Sequence, residues 1–134
     1  MKCEDHPVYE MNSLDAVLRV LMLTVYADRI QRPQEITEIW RQIPKLQIFI
    51  EGEFFPDVSG LNALIEKHDA EVREMMDSSG YAEIVDRSIR RIDSPILIPM
   101  VLAAMKSIAI ADSEFHRSEN EIICQAAETW GVNP

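Results

Sequence analysis

The stretch from Ile108 to Ile122, IAIADSEFHRSENEI, has an aspartate where an apolar helix is expected to end and a glutamate where the next should begin. A similar arrangement occurs near the other end of the chain, in VYADRIQRPQEI from Val25 to Ile36. In both stretches Ala-Asp is followed, seven residues after the Asp, by a Glu. The sequence therefore predicts a helix–loop–helix unit that is used twice.

The two copies are related by one constant offset. Asp28 and Asp112 lie 84 residues apart, and Glu35 and Glu119 are separated by the same 84 residues. Each Asp follows an apolar segment ending in Ala, and each Glu begins an amphipathic segment. We call the loops after Asp28 and after Asp112 the first and second elbows.

Apolar residues at helical spacing fill most of the chain between and around the elbows. They predict helices at about 14–28, 33–43, 60–77, 81–92, 95–112 and 118–130. The segment 45–57, rich in Ile and Phe, is interpreted as a short helix or an apolar connection, because a lone strand would have no partner. The fold class is therefore all-α. We expect a loosely ordered N-terminus at 1–12 and a single domain of about six helices at 13–134, with two related units flanking a central helical pair.

Several residues are predicted to set the ends of these helices. Ser13 and Ser94 are candidate N-caps, and Ser118 with Glu121 has the spacing of a capping box. Pro33 suits a first helical turn, while Pro44 is expected to stop the second helix at Ile43.

Composition limits the classes of function. The net charge of −10 argues against nucleic acid, whose phosphates would be repelled. Two cysteines and the absence of a secretory signal favour a reducing, cytoplasmic compartment. The apolar run before Lys106 is too short for a membrane span. The expected partner is another protein, with a homodimer as one candidate assembly.

The elbow motif resembles that of the TerB-like family, which includes the tellurite-resistance TerB proteins and the N-terminal domain of the co-chaperone DjlA. The matching residues are Ala111-Asp112-Ser113-Glu114-Phe115 with Glu119; Ala27-Asp28-Arg29-Ile30 with Glu35 is a weaker match. Ser113 and Arg29 stand where the family usually has glycine. The resemblance implies an all-helical fold of two related halves and a metal-binding cluster made from the paired Asp and Glu residues.

The residue types allow two explanations of the elbows. Glu is favoured at a helix N-terminus and Asp is disfavoured at a helix C-terminus, so the aspartates need a further role. They can accept backbone N–H groups and act as structural turn staples. Alternatively, the carboxylates hold a divalent metal ion, since hard cations prefer oxygen ligands. The candidate metal ligands are Asp28, Glu35, Asp112 and Glu119, with Glu114 and Glu121 as auxiliaries.

Other kinds of site are disfavoured. An EF-hand loop starting at Asp112 would have Arg117 at its glycine position and Ile123 at its final Glu position. The four glycines stand far apart, so no phosphate-cradling loop and no organic cofactor are expected. By resemblance, the expected function is a non-enzymatic stress-response module related to tellurite resistance. The alternative is a protein–protein interaction module in which the Asp/Glu pairs are only turn staples.

Overall fold

The structure is a computed structural model that describes residues 9–50, 56–111 and 117–134. These ranges contain helices and connecting turns but no strand, which confirms the all-α prediction. The helices are α1 Leu14–Val25, α2 Pro33–Leu46, α3 Val58–Met75, α4 Tyr81–Ile89, α5 Leu97–Ala109 and α6 Arg117–Trp130. A short 3₁₀ helix, Gln47–Phe49, extends α2.

Helix α1 lies at the centre of the domain and packs against each of the other five α-helices. Its apolar residues are not confined to one stripe, and every residue from Ala16 to Val25 is buried. The helix begins as predicted, because the Ser13 Oγ accepts a hydrogen bond of 3.1 Å from the backbone N–H of Ala16. Because α1 is surrounded in this way, even its arginine, Arg19, is buried.

Helix α2 corrects the prediction that Pro44 would end it. The helix continues through Pro44 to Leu46 and then tightens into the 3₁₀ turn. Proline lacks an N–H and so removes one hydrogen bond, but near a helix end few later bonds depend on it. The buried side chains of Ile43 and Leu46 on either side of the proline hold the last turn against the core.

Two predicted helix starts also move. Helix α5 begins at Leu97, after Ser94 Oγ accepts the Leu97 N–H at 3.3 Å, and this late start places Pro99 in the first turn. Helix α6 begins at Arg117, so Ser118 is its second residue and not its cap. Glu119, in the first turn of α6, is fully buried.

The segment before α1 is packed from Tyr9 onwards. The Tyr9 hydroxyl and the Asn12 side chain both form hydrogen bonds with residues far away in sequence. These contacts join residues 9–12 to α3 and to the turn before α5, while residues 1–8 of the N-terminal segment lie outside the described residues. Among the described residues, no helix is both long enough and apolar enough to cross a bilayer.

Candidate functional site

In the first elbow, the carboxylate of Asp28 has two contacts within the loop. Asp28 Oδ1 accepts the backbone N–H of Ile30 at 3.2 Å, which closes the turn. Asp28 Oδ2 forms an ion pair with the guanidinium of Arg32, the residue that precedes α2. A carboxylate just past the end of α1 is thus compensated locally by an N–H donor and a positive charge.

The two predicted glutamates have equivalent positions in their helices. Glu35 is the third residue of α2 and Glu119 is the third residue of α6. Both side chains are 0% exposed. The N-terminus of a helix favours a carboxylate by only about 0.3–1 kcal/mol, which is far less than the cost of burying an isolated charge. Two glutamates so placed therefore require compensation by positive charge, by protonation or by hydrogen-bond donors.

The fold brings the first elbow close to the start of α6. Ala27 and Ser118, the sequence neighbours of Asp28 and Glu119, line one cavity of about 250 Å³. Glu121 also lines this cavity but is exposed, and its carboxylate lies 3.9 Å from the guanidinium of Arg117. Glu121 therefore points to the surface, whereas Glu119 points inward.

Asp112, one of the four principal candidates, and Glu114, one of the two auxiliaries, lie outside the described residues. Within 9–50, 56–111 and 117–134, no group of three or more His, Cys, Asp or Glu side chains is arranged to hold a metal ion. The described part of the candidate site consists of Asp28 in its turn and the two buried glutamates.

Helix α3 fixes the first elbow from the side, a feature that the sequence analysis missed. The Tyr26 hydroxyl donates to Asp69 Oδ1 at 2.7 Å, and Gln31 Nε2 donates to the same oxygen at 3.2 Å. Burial and the Asp69 hydrogen bond raise the pKa of Tyr26 to about 12. Burial would raise the pKa of Asp69, but the hydrogen bonds from Tyr26, Gln31 and Arg73 outweigh it and hold that pKa below its usual value.

Comparison with known proteins gives one match. The family model for tellurite resistance protein TerB matches residues 14–134, from the start of α1 to the last residue. The chain belongs to the TerB family. No curated protein and no solved structure matched the chain.

In the first elbow of this TerB-family chain, Arg29 stands where the motif usually has glycine, and it has a backbone conformation typical of glycine. Arg29 has a φ of 68°, in the left-handed region that glycine adopts most readily. Its guanidinium reaches the turn after α3, where it donates to Asp77 Oδ1 at 3.0 Å and to the Met76 carbonyl at 3.3 Å. These contacts are exposed and contribute little to stability. The turn is held by its own hydrogen bonds, from Ile30 N–H to Asp28 Oδ1 and from Arg29 N–H to the Tyr26 carbonyl.

A pair of substitutions at Arg29 tests this backbone conformation. Both Arg29→Gly and Arg29→Ala remove the same exposed contacts, but only alanine has a Cβ that is strained at positive φ. We expect Arg29→Ala to have a free energy of unfolding about 1 kcal/mol lower than Arg29→Gly in urea denaturation. Equal stability of the two variants would show that the left-handed turn is not retained in solution.

Proposed function

We propose that this TerB-family protein is a non-enzymatic cytoplasmic module that binds a divalent cation at the elbows and acts in a tellurite-type stress response. One observation carries the proposal: Glu35 and Glu119, at the same position of two helices, are both completely buried. Carboxylate oxygens are the donors that hard divalent cations prefer, and a cation compensates buried negative charge directly. The chemistry of these side chains therefore supports a divalent ion as the ligand.

In this proposal Glu35 and Glu119 supply the inner ligands, and Asp28 and Asp112 supply ligands from the elbows. Glu121 is exposed, so in this proposal it supports the ligands from outside. Glu114 is given the same supporting role, because it is an auxiliary residue of the motif. A bound cation would tie the first elbow to the start of α6, since Ala27 and Ser118 already line one cavity. The module would then act through the shape of this joined surface on a protein partner.

Titration calorimetry with calcium, magnesium, manganese and zinc tests the proposal. We expect one of these ions to bind, and Glu119→Gln to weaken binding by at least about tenfold, the loss typical even of groups that only support a metal's ligands. Glu128→Gln is the matched control, because it removes an exposed carboxylate near the other end of the same helix and should leave affinity nearly unchanged. Absence of heat with all four ions, or equal affinities for the two variants, would reject the cation.

Arg32 adds a feature specific to this chain. Its guanidinium already neutralises Asp28, so it competes with an incoming cation for the same carboxylate. Arg32→Gln should therefore bind the ion more tightly than the unmodified protein does. A weaker or unchanged affinity would instead show that Asp28 is not a ligand.

A second function is favoured by the turn itself. The hydrogen bond from Ile30 N–H to Asp28 Oδ1 is what the turn-staple explanation requires. In that case the protein is an interaction module without a metal, and Asp28→Ala lowers stability by about 0.5–2 kcal/mol, as loss of a cap does. The two functions are distinguished by whether that loss in stability is the same with and without divalent ions.

A further inference from the structure

A buried polar cluster lies between α1 and α3, away from the elbows. We call it the Arg19 cluster; its members are Tyr9, Asp15, Arg19, His68 and Glu71. The side chains of Arg19 and His68 are almost completely buried, at 3% and 0% exposure. A charged group and a titratable group in contact inside a core form a conformational switch if the titratable group changes its charge.

The geometry assigns the proton of the imidazole. Arg19 Nε can only donate, and it lies 3.1 Å from His68 Nδ1, so Nδ1 is the acceptor. The other nitrogen, Nε2, lies 2.8 Å from Asp15 Oδ1 and therefore carries the proton that it donates. His68 is thus neutral in this structure. Burial lowers its pKa below the usual value, and the positive charge of Arg19 acts in the same direction, against the hydrogen bond to Asp15.

Tyr9 is held by the same guanidinium. Its hydroxyl donates to Glu71 Oε1 at 2.8 Å and accepts from Arg19 Nη2 at 3.1 Å. Arg19 Nη2 also forms an ion pair with Glu71. The Tyr9 ring lies 5.1 Å from the imidazole ring, and the Lys67 ammonium lies 5.2 Å from its centroid. The ring therefore covers the cleft in which Arg19 and His68 meet.

We propose that the Tyr9 ring is an acid-released latch on the cleft between α1 and α3, opened when His68 takes up a proton at Nδ1. His68 Nδ1–H would then face Arg19 Nε–H across the present 3.1 Å. Two donors cannot form a hydrogen bond at that distance, so they repel each other. Protonation would also add a positive charge beside Arg19 and Lys67. Asp15 stabilises the imidazolium, so Arg19 is displaced, and Tyr9 loses the donor to its hydroxyl.

The backbone from Tyr9 to Asn12 stays in place. The Tyr9 carbonyl accepts Arg91 Nε at 2.7 Å, and Asn12 N–H donates to the Arg91 carbonyl at 2.8 Å. Neither contact involves the imidazole. The moving part is therefore the Tyr9 side chain, and the result is an open cleft in which Arg19 and the protonated His68 lie beside Asp15 and Glu71.

The direction of the pH dependence follows from the lowered pKa. A histidine in the unfolded chain titrates near pH 6.5, whereas His68 in the folded protein takes up its proton at a lower pH. The latch is closed at neutral pH. The free energy of unfolding falls as the pH drops below about 6.5, because the unfolded chain then binds the proton more readily, and it levels off once folded His68 is protonated.

Proton NMR of the rings tests the latch as the pH is lowered from 8 until the His68 ring has titrated. The pKa of Asp15 is itself lowered, so its carboxylate remains available to hold the imidazolium. We expect the Tyr9 signals to shift to solvent-exposed values in step with the titration of the His68 ring, while helical circular dichroism is unchanged. Tyr9→Phe assigns the signals. His68→Gln offers an acceptor to Arg19 and a donor to Asp15 but cannot be protonated, so it should keep the latch closed throughout.

Three results would overturn the proposal: immobile Tyr9 signals in the unmodified protein, the same shift in His68→Gln, or loss of helical signal at the same pH. The first and third are read from the unmodified protein, so they apply even if His68→Gln folds poorly. If His68→Gln folds poorly, a shift of the Tyr9 signals at a pH different from that of the His68 ring titration would also reject the latch.

Discussion

Replacement of Arg19 by methionine is expected to lower the free energy of unfolding by about 3 kcal/mol, the loss found when one partner of a buried charge pair is removed. The substitution keeps a long side chain in the core but removes every donor of the guanidinium. His68 Nδ1 then has no donor from α1, and Glu71 and the Tyr9 hydroxyl face each other without the charge between them. Chemical denaturation followed by circular dichroism measures the loss.

Arg90→Met is the matched control for Arg19→Met. Arg90 pairs with Asp86 at 2.9 Å on the surface of α4, and 63% of its side chain is exposed. Exposed pairs contribute at most about 1 kcal/mol, so this variant should remain close to the unmodified protein. Similar losses for the two arginines would contradict the buried role of Arg19.

Asn12→Ala is expected to lower the free energy of unfolding by about 2–3 kcal/mol, which sums the loss of several hydrogen bonds of about 0.5–1.5 kcal/mol each. Asn12 Oδ1 accepts the backbone N–H groups of Asp93 at 2.9 Å and Ser94 at 3.0 Å, and Nδ2 donates to Asp93 Oδ1 at 2.8 Å. The side chain therefore joins the segment before α1 to the turn before α5. Its removal leaves partly buried backbone donors without their acceptor.

Asn12→Gly separates the effect of losing the side-chain hydrogen bonds from the effect of backbone strain at this position. The φ of Asn12 is 61°, which asparagine tolerates, glycine adopts freely and alanine resists. We expect the glycine variant to lose the hydrogen bonds but to be more stable than the alanine variant in thermal and urea unfolding. Ordinary surface substitutions change the free energy of unfolding by about 0.5 kcal/mol or less. An alanine variant within that range of the unmodified protein would show that Asn12 does not join the two segments.

The sequence predicted the helices well where local rules apply. Ser13 caps α1 as expected, and Pro33 opens α2. Pro44 was assigned wrongly, because its local preference was outweighed by the burial of Ile43 and Leu46 in the folded chain, and Ser118 lies inside α6 and is not its cap. A weak preference near a helix end is easily overridden by packing of this kind.

The candidate site was predictable only in part. The repeated Asp and Glu spacing pointed to Asp28 and Glu35, but it did not reveal that Arg32 pairs with Asp28 or that Tyr26 contacts Asp69. Arg32 lies four residues from Asp28, and that spacing was the available signal for the pair. The contact of Tyr26 with Asp69 spans 43 residues and has no signal in the sequence pattern.

The amino-acid sequence by itself determined that this chain is all-helical and roughly where each helix lies, and it contains the Ala-Asp pair with a Glu seven residues later twice. Helices form through hydrogen bonds between residues four apart, so periodicity and caps are enough to specify them. The tertiary structure alone decided that Arg19 meets His68 across 49 residues and that Asn12 meets Asp93 across 81. Such pairs depend on how whole helices pack around α1, because the core as a whole selects the arrangement that buries the most apolar surface with its polar groups satisfied.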